Sequence, residues 1–165
     1  KYIKEITVLT NPLVNSYKRL VPGFEAPASI AWSATNRSPL IRIPSRQGES
    51  ARVELRCPDP SANPYLVLAV CLAAGLDGIR NQIMPPESVD KNIFEMTSEE
   101  KEAAGIESLP SSLWEAIQEL EKDEFVKNVL GEHLCGHYIR AKKEEWAQYS
   151  RHVSAWELEQ YLYRI

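Results

Sequence analysis

Proline sets the strongest constraint on what this chain can fold into. In the first sixty residues prolines stand at positions 12, 22, 27, 39, 44, 58 and 60, with Gly23 and Gly48 among them. A proline inside a helix removes a hydrogen bond and clashes with the turn before it. Breaks this close leave no room for helices of ordinary length and predict short strands joined by loops. The β-branched and aromatic runs between the breaks place strands at 28–34, 40–43 and 52–56. From Asn63 the pattern changes: Asn63-Pro64 supplies an N-cap and a first-turn proline. The run that follows to Leu76 is apolar on every side, which predicts a helix buried all round and ending near Gly78.

The remainder reads as helical support. Residues 81–111 form a connecting stretch with Pro85, Pro86 and Pro110, broken by a short acidic helix at 98–104. Ser112 and Glu115 have the spacing of a capping box and open an amphipathic helix carrying Leu113, Ile117 and Leu120, with Phe125 and Val129 continuing the face. A further helix is expected from Leu134 to about Tyr149. The last, at 155–163, is aromatic enough to pack against something. The chain thus divides into an Arg-rich strand and loop part, residues 1–60, and a mainly helical part, residues 61–165.

Composition excludes several classes. With 44% hydrophobic and 25% charged residues over 165 positions and a net charge of -4, the chain is too apolar and too balanced for disorder. Cys57, Cys71 and Cys135 are an odd set without paired spacing; they do not make a disulfide scaffold, and they point to a reduced, cytosolic compartment. The longest apolar run, 65–74, has ten residues, where a bilayer span takes about 20; no membrane span is expected. The chain opens at Lys1 without a charged-then-apolar signal segment or an initiator Met, the expectation for a piece of a longer protein.

Charge is unevenly spread: nine basic and five acidic residues lie in 1–60, ten and eighteen in 61–165. The front is therefore suited to anions and the back to solvation. Arg19, Arg37, Arg42, Arg46, Arg52 and Arg56 carry that front, with Lys18 the one neighbouring lysine and only Glu25, Glu49, Glu54 and Asp59 as local partners. Arginine offers a planar fork that grips carboxylate or phosphate bidentately. In Arg52-Val-Glu-Leu-Arg56 a period of two puts Arg52, Glu54 and Arg56 on one face, one carboxylate between two guanidiniums, and Ile41-Arg42-Ile43 aims another from a neighbouring strand. Two readings fit this face. It is a salt-bridge ladder on the open side of a sheet, or Glu54 is an oxygen ligand for Mg²⁺ or Mn²⁺ with arginines holding the phosphates that the metal bridges. The segment 21–27, pivoting at Gly23 with Glu25 near its tip, is either an ordinary surface loop or a flap whose acid accepts a proton.

Other signals are weak. His133 and His137 are four apart, but the acid of the zinc-helix motif is missing and no third ligand is near. There is no Gly-rich phosphate loop, nucleophile elbow or Cys-x-x-Cys. An acidic chain whose arginines alternate with aliphatics is a poor fit to nucleic acid.

Taken together, Asn11-Pro-Leu-Val-Asn-Ser-Tyr-Lys-Arg-Leu-Val-Pro-Gly-Phe-Glu-Ala-Pro27, Asn36-Arg-Ser38, Ile41-Arg-Ile-Pro44, Arg52-Val-Glu-Leu-Arg56 and Asp59-Pro-Ser-Ala-Asn-Pro-Tyr-Leu66 resemble, in order and spacing, the last third of bacterial glutamine synthetase. The match is strong over 11–96 and continuous but looser to the end. The resemblance implies an α+β fold, with strands of an antiparallel sheet in front and helices behind. It implies ATP-dependent formation of glutamine from glutamate and ammonia through γ-glutamyl phosphate, with ATP and Mg²⁺ or Mn²⁺ as cofactors. By the same resemblance Arg19 and Arg56 bind glutamate, Arg37 and Arg42 stabilise the phosphates and the transferred phosphoryl group, Arg52 faces the nucleotide and Glu54 is a metal ligand. Glu25 matches the flap acid that shields the intermediate and helps deprotonate ammonium. A glutamine-synthetase-like ligase using another amine would keep the same arginines.

Some members are switched off by adenylylation of a tyrosine in Asp-Lys-Asn-Leu-Tyr; the corresponding Asp90-Lys-Asn-Ile-Phe94 has no hydroxyl to modify. Glu49 stands where some members place a basic residue, so neither Arg46 nor Glu49 receives a role. Family members form stacked rings, dodecamers, in which a carboxy-terminal helix reaches toward the opposite ring, and residues 156–163 would suit that packing. The family's other metal ligands and its nucleotide segment lie upstream of the residues matched. The 165 residues alone are therefore expected to be inactive.

Overall fold

The computed structural model describes residues 1–21, 26–44, 48–122 and 124–164. Helix α1 (Ile3–Thr10) is central: Ile6, Thr7, Val8, Leu9 and Thr10 are all buried. Its β-branched content reads as strand, and tertiary packing overrides that weak preference. The helix stops at Asn11, the residue that Pro12 holds out of helical conformation. Thr7 and Thr10 satisfy their hydroxyls within the helix, donating to the carbonyls of Ile3 and Thr7. A 3-10 turn, Val14–Lys18, follows.

Four two-residue strands carry the front: β1 (Ser29–Ile30), β2 (Trp32–Ser33), β3 (Ile41–Arg42) and β4 (Glu54–Leu55). In the three-stranded sheet β2 pairs parallel with β3, and β3 pairs antiparallel with β4 in a register that sets Arg42 opposite Glu54. β1 pairs antiparallel with β5 (Glu107–Ser108).

Helix α2 (Pro64–Arg80) begins where Asn63 and Pro64 direct, the Asn63 side chain accepting from the amides of Tyr65 and Leu66. It is not buried all round. Val70 alone is fully buried, while Tyr65, Leu68, Leu72 and Ile79 face outward. Hydrophobicity marks what a helix could bury, and among the described residues only α1 and α5 pack closely on it. Helix α3 (Ser98–Ala103) opens on a reciprocal capping box between Thr97 and Glu100. At α4 (Leu113–Lys122) the Ser112 hydroxyl accepts from the Glu115 amide, and the Glu115 carboxylate closes on Ser111.

Leu113, Ile117 and Leu120 of α4 pack with Val8 and Leu9 of α1 at the centre of the core. The amphipathic face does not run on to Phe125 and Val129 in the same helix. α5 (Phe125–Leu130) is a separate element in which Val126 is buried and Phe125 stacks on Tyr2 at 3.7 Å. Gly131, at φ 81°, turns the chain into α6 (Glu132–Tyr149), a conformation costly to any other residue. α6 grips α1 through the Tyr138 hydroxyl, which donates to the Val8 carbonyl at 2.7 Å. The tail helix α7 (Ala155–Tyr161) is capped by Ser154 and Glu157. In this chain its aromatic residues are exposed: Trp156 and Tyr161 meet edge to face at 5.8 Å, and Leu162 and Tyr163 are exposed beside them.

Candidate functional site

The front arginines separate into three settings. On the sheet, the β3–β4 register brings Arg42 across from Glu54, and Arg52, two residues before Glu54, reaches the same carboxylate. Arg42 Nη1 lies 3.1 Å from Glu54 Oε2, and Arg52 Nη2 and Nε lie 2.6 and 2.8 Å from Oε1. The carboxylate is therefore gripped on both oxygens. The Arg52 hydrogen bond, together with the Arg42 charge, holds the Glu54 carboxyl below the usual carboxylate range. Glu54 does sit between two guanidiniums, but they are Arg42 and Arg52. The Arg56 amide continues the pairing with β3 by donating to the Leu40 carbonyl, but its guanidinium donates to the backbone carbonyls of Arg37 and Pro39.

The second setting is a cavity of about 630 Å³ lined by Thr35, Asn36, Arg37, Ser38, Arg56, Asp90, Asn92 and Phe94. Arg37 and Arg56 meet here, joined through the Arg37 carbonyl. The Arg37 guanidinium has no ion pair with any described acid, as suits a group presented to an external anion. Phe94, 45% exposed, forms part of the wall. Asp90, which the sequence gives no site role, also lines this cavity. It accepts from Ser33 Oγ at 2.7 Å and Thr35 Oγ1 at 3.1 Å, and those two hydrogen bonds lower its pKa. The small polar cluster 33–38 was the available sequence signal for a tight, side-chain-supported turn.

Arg19 occupies the third. Its guanidinium reaches Asn11 Oδ1 and the Cys57 carbonyl at 3.3 Å, the Pro58 carbonyl at 3.4 Å and Asp59 Oδ2 at 3.8 Å. It ties the turn after α1 to the exit of β4, with its side chain 37% exposed. Glu25, the flap acid expected from the sequence, and Arg46 lie outside the described residues.

Glu54 fits a divalent metal as one donor of a larger set: it is anionic and an oxygen ligand. Among the described residues no group of three or more His, Cys, Asp or Glu is placed to hold a metal ion. His133 and His137 rings lie 4.4 Å apart, and His137 Nδ1 contacts Arg140 Nη2 at 3.1 Å. No helix among the described residues is long and apolar enough to cross a membrane. All three cysteines are free thiols.

The fold is mixed: short strands present clustered guanidiniums and one carboxylate, and helices back them. Sequence comparison is specific about the family. The profile described as "Glutamine synthetase, catalytic domain" matches residues 1–161, and the chain belongs to that family. Curated glutamine synthetases from Clostridium saccharobutylicum and Methanosarcina mazei are 55% and 56% identical over 162 residues, 98% of this chain and 37% and 36% of theirs. That from Thermotoga maritima is 53% identical over 163 residues, 99% of this chain and 37% of its own. A solved structure of a GmaS/ADP complex superposes with a TM-score of 0.81 at 37% identity, covering 96% of this chain and 36% of that one. GmaS without ligand gives the same score at 38% identity, covering 97% and 35%. The chain thus spans a little over a third of the length of these relatives.

Proposed function

We propose that this chain is the carboxy-terminal part of the catalytic domain of an ATP-dependent glutamate–ammonia ligase, which makes glutamine by way of γ-glutamyl phosphate. The observation that carries the reading is the pairing, in a chain of this family, of the Arg37–Arg56 cavity with the Arg42–Glu54–Arg52 cluster. Phosphoryl transfer to a carboxylate spreads negative charge over oxygens, so catalysis rests on positioning and electrostatics. Arg19 and Arg56 bind the carboxylates of glutamate. Arg37 and Arg42 stabilise the phosphates and the transferring group, and Arg52 contacts the nucleotide, in keeping with the ADP complex among the structural relatives. Glu54 gives one ligand to a Mg²⁺ or Mn²⁺ ion, which when bound neutralises charge on the ATP phosphates. Glu25 shields the intermediate from water and takes a proton from ammonium. Residues 1–60 supply this machinery and 61–165 its helical support. The whole protein works in the cytoplasm as a homo-oligomer of stacked rings, with the remaining metal ligands supplied from outside this chain.

The test is an assay of the full-length protein with ATP, glutamate and either ammonia or a panel of amines. Ammonia should be the preferred acceptor. Replacing Arg56 by Ala should raise the KM for glutamate, and replacing Arg42 by Ala should lower kcat by about a hundredfold or more, as for loss of one oxyanion-stabilising donor. Preference for a bulky amine sinks the choice of ammonia, and ATP hydrolysis independent of glutamate sinks the ligase.

A further inference from the structure

The segment 86–93 is fastened along β2 and the turn that follows it. Trp32 Nε1 donates to the Pro86 carbonyl at 2.7 Å, and the Val89 amide donates to the Trp32 carbonyl at 2.9 Å. Asn36 Nδ2 donates to the Lys91 carbonyl, and the Ile93 amide to Ser38 Oγ at 3.1 Å. Asp90 lies in the middle of this row. Ser33 Oγ, fully buried, accepts from the amides of Thr35 and Asn36, each at 3.1 Å, which closes the turn just ahead of Arg37. A hydroxyl serving as acceptor for two amides must direct its own hydrogen elsewhere. Asp90 Oδ1 receives it at 2.7 Å and takes a second hydroxyl from Thr35 at 3.1 Å. Bonds to a carboxylate are the stronger kind. The same turn delivers the Arg37 carbonyl on which Arg56 docks.

The Arg37 guanidinium is exposed and without a described ion-pair partner, so its aim is set by the backbone beneath it. We propose that Asp90 is a positioning residue for phosphoryl transfer: by fixing the hydroxyls of Ser33 and Thr35 it holds the 33–38 turn that points Arg37 into the cavity it shares with Arg56. The role rests on the ligase reading above. In this role Asp90 acts through the turn, by way of Ser33 and Thr35.

The experiment is a double-mutant cycle in the full-length protein with D90A, D90N, R37A and D90A/R37A. Misplacing a catalytic group by about 1 Å costs up to about a hundredfold, so D90A should lower kcat by about ten- to a hundredfold. D90N, whose amide oxygen still accepts both hydroxyls, should stay within about threefold of the parent. In the R37A background D90A should change kcat by less than about twofold, because groups acting in series do not add. Hydrogen exchange at the Thr35 and Asn36 amides should accelerate in D90A. An unchanged kcat in D90A, or an equal loss with and without Arg37, overturns the proposal. Should D90A fold poorly, T35V carries the same cycle with a smaller expected loss, and an equal loss in the R37A background overturns it likewise. A parent that forms no glutamine overturns the ligase reading instead. The exchange measurement then still decides the clamp, since unchanged protection at Thr35 and Asn36 in D90A refutes it.

Discussion

Two leucines of the same chemistry and opposite environment test the packing most sharply. Leu120 of α4 is 1% exposed in the cluster with Val8, Leu9 and Ile117, whereas Leu72 of α2 is 66% exposed. Replacing Leu120 by Ala loses the transfer energy of the removed carbons and leaves a cavity, about 3 kcal/mol in a range of roughly 2–5. Leu72 has only about a third of its surface out of water, and solvent fills the space it vacates. About a third of the roughly 2 kcal/mol for a fully buried leucine is at stake, partly offset by the helix preference of alanine. The expected cost is about 0.5 kcal/mol. At about 2–4 °C per kcal/mol for a chain of this size, the midpoints should fall by about 6–12 °C and about 1–2 °C. Urea and thermal unfolding of both variants should be followed by far-UV circular dichroism at several protein concentrations, because association through an exposed apolar face would make the midpoint concentration-dependent. If Leu72→Ala is as costly as Leu120→Ala at the lowest concentration, the outer face of α2 is covered within the chain itself and the packing described above is wrong.

Other perturbations read single contacts. Asn63→Ala removes the cap that accepts from the amides of Tyr65 and Leu66 and should cost about 1 kcal/mol in a urea titration. Tyr138→Phe deletes the bond to the Val8 carbonyl and should cost about 1 kcal/mol. Tyr17→Phe should be neutral or stabilising, because the buried Tyr17 hydroxyl has no hydrogen-bond partner among the described residues. Burial pushes the Cys57 thiol up to about 12, so at pH 8 a disulfide reagent should label Cys57 only on unfolding; rapid labelling of the native chain at Cys57 would refute that burial. Glu54 and Asp90 have carboxyls lowered from 4.5 and 3.8. The native state therefore binds fewer protons than the unfolded one, and their contribution is present above those ordinary values and lost as pH falls through the lowered ones. Arg52→Ala should raise the Glu54 midpoint in a carboxyl carbon NMR titration.

What the sequence makes legible here is local chemistry. Asn63-Pro64 marks the start of α2 and Ser112 the start of α4, because a cap acts within three residues of itself. The i, i+2 spacing of Arg52 and Glu54 marks their contact, and Arg42 joins them through the strand register. α1 was not legible, since Ile3, Ile6, Thr7, Val8 and Thr10 favour strand until α4 and α6 pack around them. The exposure of α2 and α7 was illegible for the complementary reason: apolar residues state a capacity for burial and leave the partner unnamed. Asp90 meets Ser33 across 57 positions, a pairing that no local pattern encodes.

The Arg42–Glu54–Arg52 cluster limits what this chain can do with metal by itself. Its carboxylate is flanked by two guanidiniums, so the cluster carries net positive charge and repels a cation. A divalent ion binds there only when further carboxylates outweigh the arginines or when nucleotide phosphates arrive with it. Among the described residues no such group of ligands exists. The 165-residue chain should therefore bind Mg²⁺ or Mn²⁺ no more tightly than about millimolar. By linkage, 1 mM metal would then stabilise it by at most about 0.4 kcal/mol, about 1 °C in the unfolding midpoint. The full-length protein, with the remaining ligands in place, should shift by several degrees, and Glu54→Gln should reduce that shift. A large metal-dependent shift in the chain alone that survives Glu54→Gln would refute the argument, since the ion would then be held by residues outside the cluster.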